Sequence, residues 1–115
     1  MLPKRERLTT HTISLPREGL RIYHTDRLTL AVSNQHTRKP SKFAVIVLKK
    51  GITAVERNRI RRRIYEAIGA LRKNLKSEGY FCVFSLKKGV SKDIPYSVFL
   101  EDVGVLFKKA DIINV

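Results

Sequence analysis

A small α+β fold is what this sequence predicts, and three observations carry that reading. Residues 27–33, RLTLAVS, alternate Leu28, Leu30 and Val32 against Thr29, Ala31 and Ser33, the period of a half-buried strand. Ile60, Ile64, Ala67, Ile68, Leu71 and Leu75 recur at three- and four-residue spacing, the stripe of a helix that covers a core. Two apolar runs, FAVIV at 43–47 and YFCVFSL at 80–86, have the uninterrupted character of strands buried on both faces.

Taken in order, the first 18 residues read as a short or irregular helix. RLTTHTISLPREG offers Thr caps and some helical spacing, but Pro16 ends any helix near Leu15. GLRIY at 19–23 reads as a short strand, and RLTLAVS as the second. The polar segment NQHTRKPSK forms a loop before FAVIVLKK, the third strand, and the second and third strands are positioned to pair as a long hairpin. Thr53 and Glu56 then make a capping box, in which the Thr hydroxyl accepts the third helical N–H and the Glu reaches back to the cap. The helix that starts there is expected to end at Gly79, with Gly69 weakening its middle slightly. The run from Tyr80 is a fourth strand. YSVFLEDVGVLFKKA closes the chain with a helix whose inner stripe is Phe99, Val103, Leu106, Phe107 and Ala110. The order is α-β-β-β-α-β-α, one domain over residues 1–115, with the helices on one face of the sheet.

Composition narrows the function. The 115 residues carry 24 Lys and Arg against 10 Asp and Glu, a formal charge of +14, and such a field attracts polyanions. No apolar run approaches the roughly 20 residues that span a bilayer, and MLPKRERLTT lacks the apolar centre of a signal peptide, so the expected location is the cytoplasm. The single cysteine, Cys82, lies inside an apolar run and reads as a small buried hydrophobe.

The charge is concentrated in AVERNRIRRRIYEAI, residues 54–68, where five arginines occupy the seven positions from Arg57 to Arg63. At about 100° per residue, Asn58, Arg59 and Arg62 point away from the apolar stripe, Arg57 and Arg61 lie on one flank, and Arg63 on the other. A solvated helix face usually mixes signs at four-residue spacing. Here no acid stands between Glu56 and Glu66, so the charge calls for an external anion. Arginine grips phosphate oxygens bidentately, which makes phosphate the expected anion. Lys49 and Lys50, at the end of the third strand, extend the same basic surface.

The stretch KKGITAVERNRIRRRIYEAI, preceded by FAVIV, closely resembles the signature of the bacterial ribonuclease P protein subunit: a strand ending in Lys-Lys, a short loop, and a helix bearing Ala-Val, one variable residue, Arg-Asn-Arg and further basic positions. The resemblance is specific over residues 42–68 and extends in element order from about residue 4 to 110. It implies a ribosomal-protein-like α+β fold with a left-handed βαβ crossover, where general topology rules predict a right-handed one. It also implies that the basic helix packs on a catalytic RNA and borders a cleft for the single-stranded 5′ leader of precursor tRNA. By position, Arg57, Asn58, Arg59, Arg61 and Arg62 inherit the RNA-binding roles, with the flanking Arg63 added to them. Lys49, Lys50, Arg57 and Asn58 stand beside the leader path.

Two departures from the family pattern stand out. Tyr65 occupies a position where a basic residue is common, so that contact is lost or replaced by stacking. Members usually line the leader cleft with aromatics from the first helix and second strand, whereas here Ile13 and Ala31 occupy two of those places and the third falls in the Pro16 to Glu18 region. Tyr23 and Phe43 are the candidate substitutes.

The sequence offers no chemistry of its own for cutting RNA. Glu101 and Asp102 are adjacent on a helix, point apart, and read as a solvated face. His11, His24 and His36 lack zinc spacing and read as surface residues, and there is no glycine-rich nucleotide loop or nucleophile motif. In the family Mg²⁺ held by the RNA activates water. The expected partners are therefore the catalytic ribonuclease P RNA and precursor tRNA, with the free protein monomeric. Two rivals share some of these features. One is a structural ribosomal-type RNA-binding protein with no part in cleavage. The other is a membrane-surface protein, which the aliphatic stripe, needed for the core, disfavours.

Overall fold

The alternation at the start of the chain produces a hairpin. A computed structural model describes residues 20–34, 41–47, 52–76, 79–87 and 93–113, and the expected first helix lies outside them. Strand β1, Arg21–His24, pairs antiparallel with β2, Leu28–Asn34, in the register Arg21 to Val32. The turn between them closes by two bonds: the Thr25 N–H donates to the Leu28 carbonyl at 2.9 Å, and the Leu28 N–H donates to Thr25 Oγ1 at 3.1 Å. Short polar side chains close turns in this way because they offer the backbone an extra acceptor.

Beyond that hairpin the strand neighbours differ from the expected ones. The sheet order is β1-β2-β4-β3, where β3 is Lys42–Ile46 and β4 is Tyr80–Leu86. Strand β4 lies antiparallel to β2 and parallel to β3, so the second and third strands run in opposite directions without touching as a hairpin. The physical reason lies in β4, whose Tyr80, Cys82, Val83 and Phe84 are all buried, so that it is covered on both faces and takes the interior position. Strand β3 becomes an edge rather than the middle strand that its apolar character suggested.

Helix α1, Ala54–Leu71, crosses from β3 to β4 and begins at the expected capping box. Glu56 N–H donates to Thr53 Oγ1 at 3.2 Å, and Thr53 N–H donates to Glu56 Oε1 at 3.0 Å. The helix stops earlier than Gly79. A 3₁₀ turn at Arg72–Asn74 follows Leu71, and Leu75 is extended, because it bridges Ile113 while Lys76 N–H donates to the Ile112 carbonyl at 2.8 Å. Gly79, at φ 87°, instead turns the chain into β4, a backbone conformation that glycine adopts without steric cost.

Helix α2, Tyr96–Lys109, packs beside α1 on the same side of the sheet. Its stripe of Phe99, Val103, Leu106 and Phe107 is fully buried, with Phe107 edge-on to Phe84 at 5.6 Å and to Phe43 at 6.5 Å. Burying each such ring is worth about 1.5–3 kcal/mol. The helix ends in a Schellman motif: Ile112 N–H reaches the Phe107 carbonyl at 3.2 Å and Asp111 N–H the Lys108 carbonyl at 3.0 Å. Asp111, at φ 55°, occupies the left-handed position where glycine is the commonest residue.

Candidate nucleic-acid interface

The capping box fixes what the basic face can be. Glu56 precedes the arginines in the first turn, and its carboxylate accepts the backbone N–H of the cap residue Thr53. Asn58, Arg59 and Arg62 are exposed, while Arg57, Arg61 and Arg63 are half-buried on the flanks, as the helical angles predict. No carboxylate among the described residues forms an ion pair with any of the five arginines; the ion pairs there are Arg27 with Asp102 and Lys76 with Asp111. Lys49 and Lys50 lie outside the described residues.

The two flanks differ. On the side toward α2, Arg63 Nη1 donates to the Ile94 carbonyl at 2.7 Å, a short charge-assisted bond that ties α1 to the residues leading into α2. On the side toward β3, the Nε atoms of Arg57 and Arg61 are shielded from water and have no hydrogen-bond partner among the described residues. A shielded donor without an acceptor costs about 1–3 kcal/mol, which a phosphate oxygen would recover once the guanidinium turned toward it. Further along this flank, Tyr65 packs its ring against the core and its hydroxyl oxygen accepts the Val45 N–H at 3.2 Å. Tyr65 is thus held by its ring, and stacking is not the contact that this side chain is placed to make.

The aromatic candidates divide in an unexpected way. Phe43 is 1% exposed and belongs to the main core, so it offers no surface to a ligand; its place in an alternating strand put it on the helix side. Tyr23 is half-buried against that same core. The opposite face of the sheet has a smaller cluster of Ala44 and Val83, with Ala31, Ile46 and Phe81 packed around them. Phe81 is an aromatic on that face, half-buried on β4 beside Ser33 of β2 and Lys42 of β3. Sequence reasoning passed over it because the run YFCVFSL is apolar throughout and hides its own alternation.

The acidic and histidine residues also find their places. Glu101 is exposed as expected, but Asp102 is 7% exposed and bonded to Arg27 Nη1 at 3.3 Å, a correction to the solvated-face reading. That pair ties α2 to the β1–β2 hairpin. His24 is exposed, with Nδ1 at 3.1 Å from Thr29 Oγ1, while His11 and His36 fall outside the described residues. Cys82 is fully buried, and loss of hydration pushes its thiol far above the usual range. No group of three or more His, Cys, Asp or Glu side chains among the described residues is arranged to hold a metal. No helix among them is long and apolar enough to cross a membrane.

A mixed four-stranded sheet covered by two helices, one presenting arginines that have no acid partner among the described residues, defines a small basic α+β protein with an arginine-rich helix face. The chain belongs to the Ribonuclease P family, whose model matches residues 2–111. Ribonuclease P protein components of Synechococcus elongatus and of another Synechococcus strain are each 37% identical over 75 residues, 64% of this chain. The matched stretch spans 61% of the length of those curated relatives. Among solved structures, the RNase P protein of Staphylococcus aureus superposes with a TM-score of 0.79 at 17% identity, covering 96% of this chain and 100% of that one. The RNase P protein of Thermotoga maritima gives 0.73 at 18% identity, covering 91% and 97%. These structural likenesses establish the bacterial RNase P protein fold.

Proposed function

We propose that this chain is the RNA-binding protein subunit of ribonuclease P, the ribonucleoprotein that removes the 5′ leader of precursor tRNA. The observation that carries the reading is the arginine face of α1, whose charge meets no carboxylate among the described residues, on a helix anchored to the core by Ile60, Ile64, Ala67 and Ile68. Membership of the Ribonuclease P family supports an RNA partner, and in this reading Arg59 and Arg62, with Arg57 and Arg61, meet the catalytic RNA. Arg57 and Asn58, with Lys49 and Lys50, border the single-stranded leader.

Hydrolysis in this reading belongs to the RNA, which holds the Mg²⁺. The chain's own residues bind, orient and screen crowded phosphates. Phe81, with Ala31 and Ala44 beside it, is the stacking surface for a leader base, in place of Tyr23 and Phe43.

The deciding experiment is reconstitution with a ribonuclease P RNA at low Mg²⁺, following release of the leader with and without the protein. A gain in cleavage on adding the protein, lowered by Phe81→Ala more for substrates with a leader of several nucleotides than for those with a single-nucleotide leader, is the expected result. RNA binding without any gain in cleavage would replace this reading with that of a structural RNA-binding protein.

A further inference from the structure

We infer that Tyr65 is an RNA-backbone ligand, the third donor in a row with Arg57 and Arg61 along the open edge of β3. The inference rests on the ribonuclease P reading and deepens it. Residues 57, 61 and 65 stand four apart on α1, so successive members are separated by about 6 Å along the helix axis, comparable with the spacing of phosphates along a polynucleotide chain. All three are half-buried, and their four-residue spacing puts Arg57 and Arg61 on the same helix flank as Tyr65, which meets β3, the edge strand of the sheet.

The donors in this row have no protein acceptor among the described residues. The Nε–H groups of Arg57 and Arg61 have no acceptor among the described residues. The Tyr65 oxygen accepts the Val45 N–H at 3.2 Å, which uses a lone pair and leaves the hydroxyl proton to donate. That arrangement also sets the direction of the bond. With its ring packed on the core and its oxygen anchored to the strand, the phenol can swing only its proton, and the nearest use for it is an acceptor lying along the edge. A chain of two hydrogen bonds, amide to phenol to phosphate, strengthens each member. A tyrosine here gives a neutral contact, where an arginine would add a charge.

The shared chemistry is a phosphodiester oxygen, supplied either by the folded catalytic RNA or by the single-stranded leader. Tyr65→Phe and Tyr65→Arg, checked for native melting by circular dichroism, are titrated by filter binding against two probes: a ribonuclease P RNA and a single-stranded oligoribonucleotide of leader length. Tyr65→Phe is expected to weaken binding to one of the two by on the order of three- to tenfold, with no change in the salt slope, since a neutral donor releases no counterion. Tyr65→Arg should restore affinity and steepen the slope by about 0.7–0.9. The probe that responds identifies the source of the phosphate.

A measurement on the unaltered protein stands beside these: the Val45 amide resonance should shift when the responding RNA is added. Unchanged affinity of Tyr65→Phe for both probes, or a Val45 amide indifferent to both, overturns the assignment while leaving the ribonuclease P reading intact. Failure of the unaltered protein to bind either RNA removes that reading itself.

Discussion

Two populations of cations stand out among the described residues. Arg63, Arg27, Lys76 and Lys109 each have a protein acceptor: the Ile94 carbonyl, Asp102, Asp111 and the His24 carbonyl. Arg57, Arg59, Arg61 and Arg62 have no carboxylate partner among the described residues, although they share a helix with Arg63. The first group joins elements distant in sequence, as Arg27 and Asp102 do across 75 positions, and its contacts belong to folding. The second group is held on a rigid helix while its charge is left for something else. Residue type therefore says little about role here; what stands opposite each guanidinium says most.

The largest effect that sharpens this contrast comes from replacing Arg57, Arg59 and Arg62 together with alanine. Binding to ribonuclease P RNA should weaken and its salt slope should fall by about 2–3, because up to three phosphates keep their counterions. The melting temperature should not fall, since these changes lie outside the core and remove the shielded, unpaired donor of Arg57. An unchanged slope in a filter-binding titration would erase the distinction between the populations.

Arg63→Ala should do the reverse. Loss of its 2.7 Å bond leaves the Ile94 carbonyl without that donor and should cost about 1.5–3 kcal/mol of stability. Denaturant unfolding reads this directly, and the RNA salt slope should fall by less than one. If Arg63→Ala left stability intact and cut the slope as each of the others does, Arg63 would belong with the second group.

Much of this was legible in the sequence, because local codes wrote it. The capping box at Thr53 and Glu56, the stripe through Ile60, Ile64, Ala67 and Ile68, and the burial of Cys82 each follow from spacing or local composition. The outward aim of Asn58, Arg59 and Arg62 follows from helical angle alone. What was not legible depends on partners far along the chain. Helical angle puts Arg63 on a flank, but the Ile94 carbonyl that meets it lies 31 positions away. Alternation finds strands but does not say which are neighbours, so β4 entered between β2 and β3 unannounced. The end of α1 is hidden for a similar reason: Leu75 continues the helical spacing, yet its pairing with Ile113 draws it out of the helix. Phe81 was hidden by uniformity, because a strand with apolar residues on both sides gives no sign of which face each one takes.

Smaller effects test the folding population itself. Asp102→Ala removes the partner of Arg27, whose side chain is 40% exposed and can be rehydrated, so the expected loss is about 1 kcal/mol. RNA affinity should not change. A loss several times larger in urea unfolding would mean that Asp102 supports more of the α2–hairpin contact than this one pair.

The faintest effect belongs to Asp111, which combines an ion pair with a left-handed backbone. Lys76 Nζ donates to its Oδ1 at 2.6 Å, and that hydrogen bond, together with the charge of the same lysine, lowers the carboxyl's pKa below 3.8. A carboxylate whose pKa is lower in the folded state stabilises the fold above its unfolded value and loses that contribution as pH falls through the folded one. Asp111→Asn keeps a side chain tolerant of φ 55° but removes the charge. At neutral pH the variant should melt slightly below the parent. As pH falls from 3.8 downward the two melting curves should converge, because protonation makes the parent resemble the variant. Because the aspartate is fully exposed, added salt should narrow the neutral-pH gap as well. A gap that persisted through acid and salt would mean that the Schellman turn senses the side chain through its backbone preference, and that Lys76 contributes nothing to holding the end of α2 against the 3₁₀ turn.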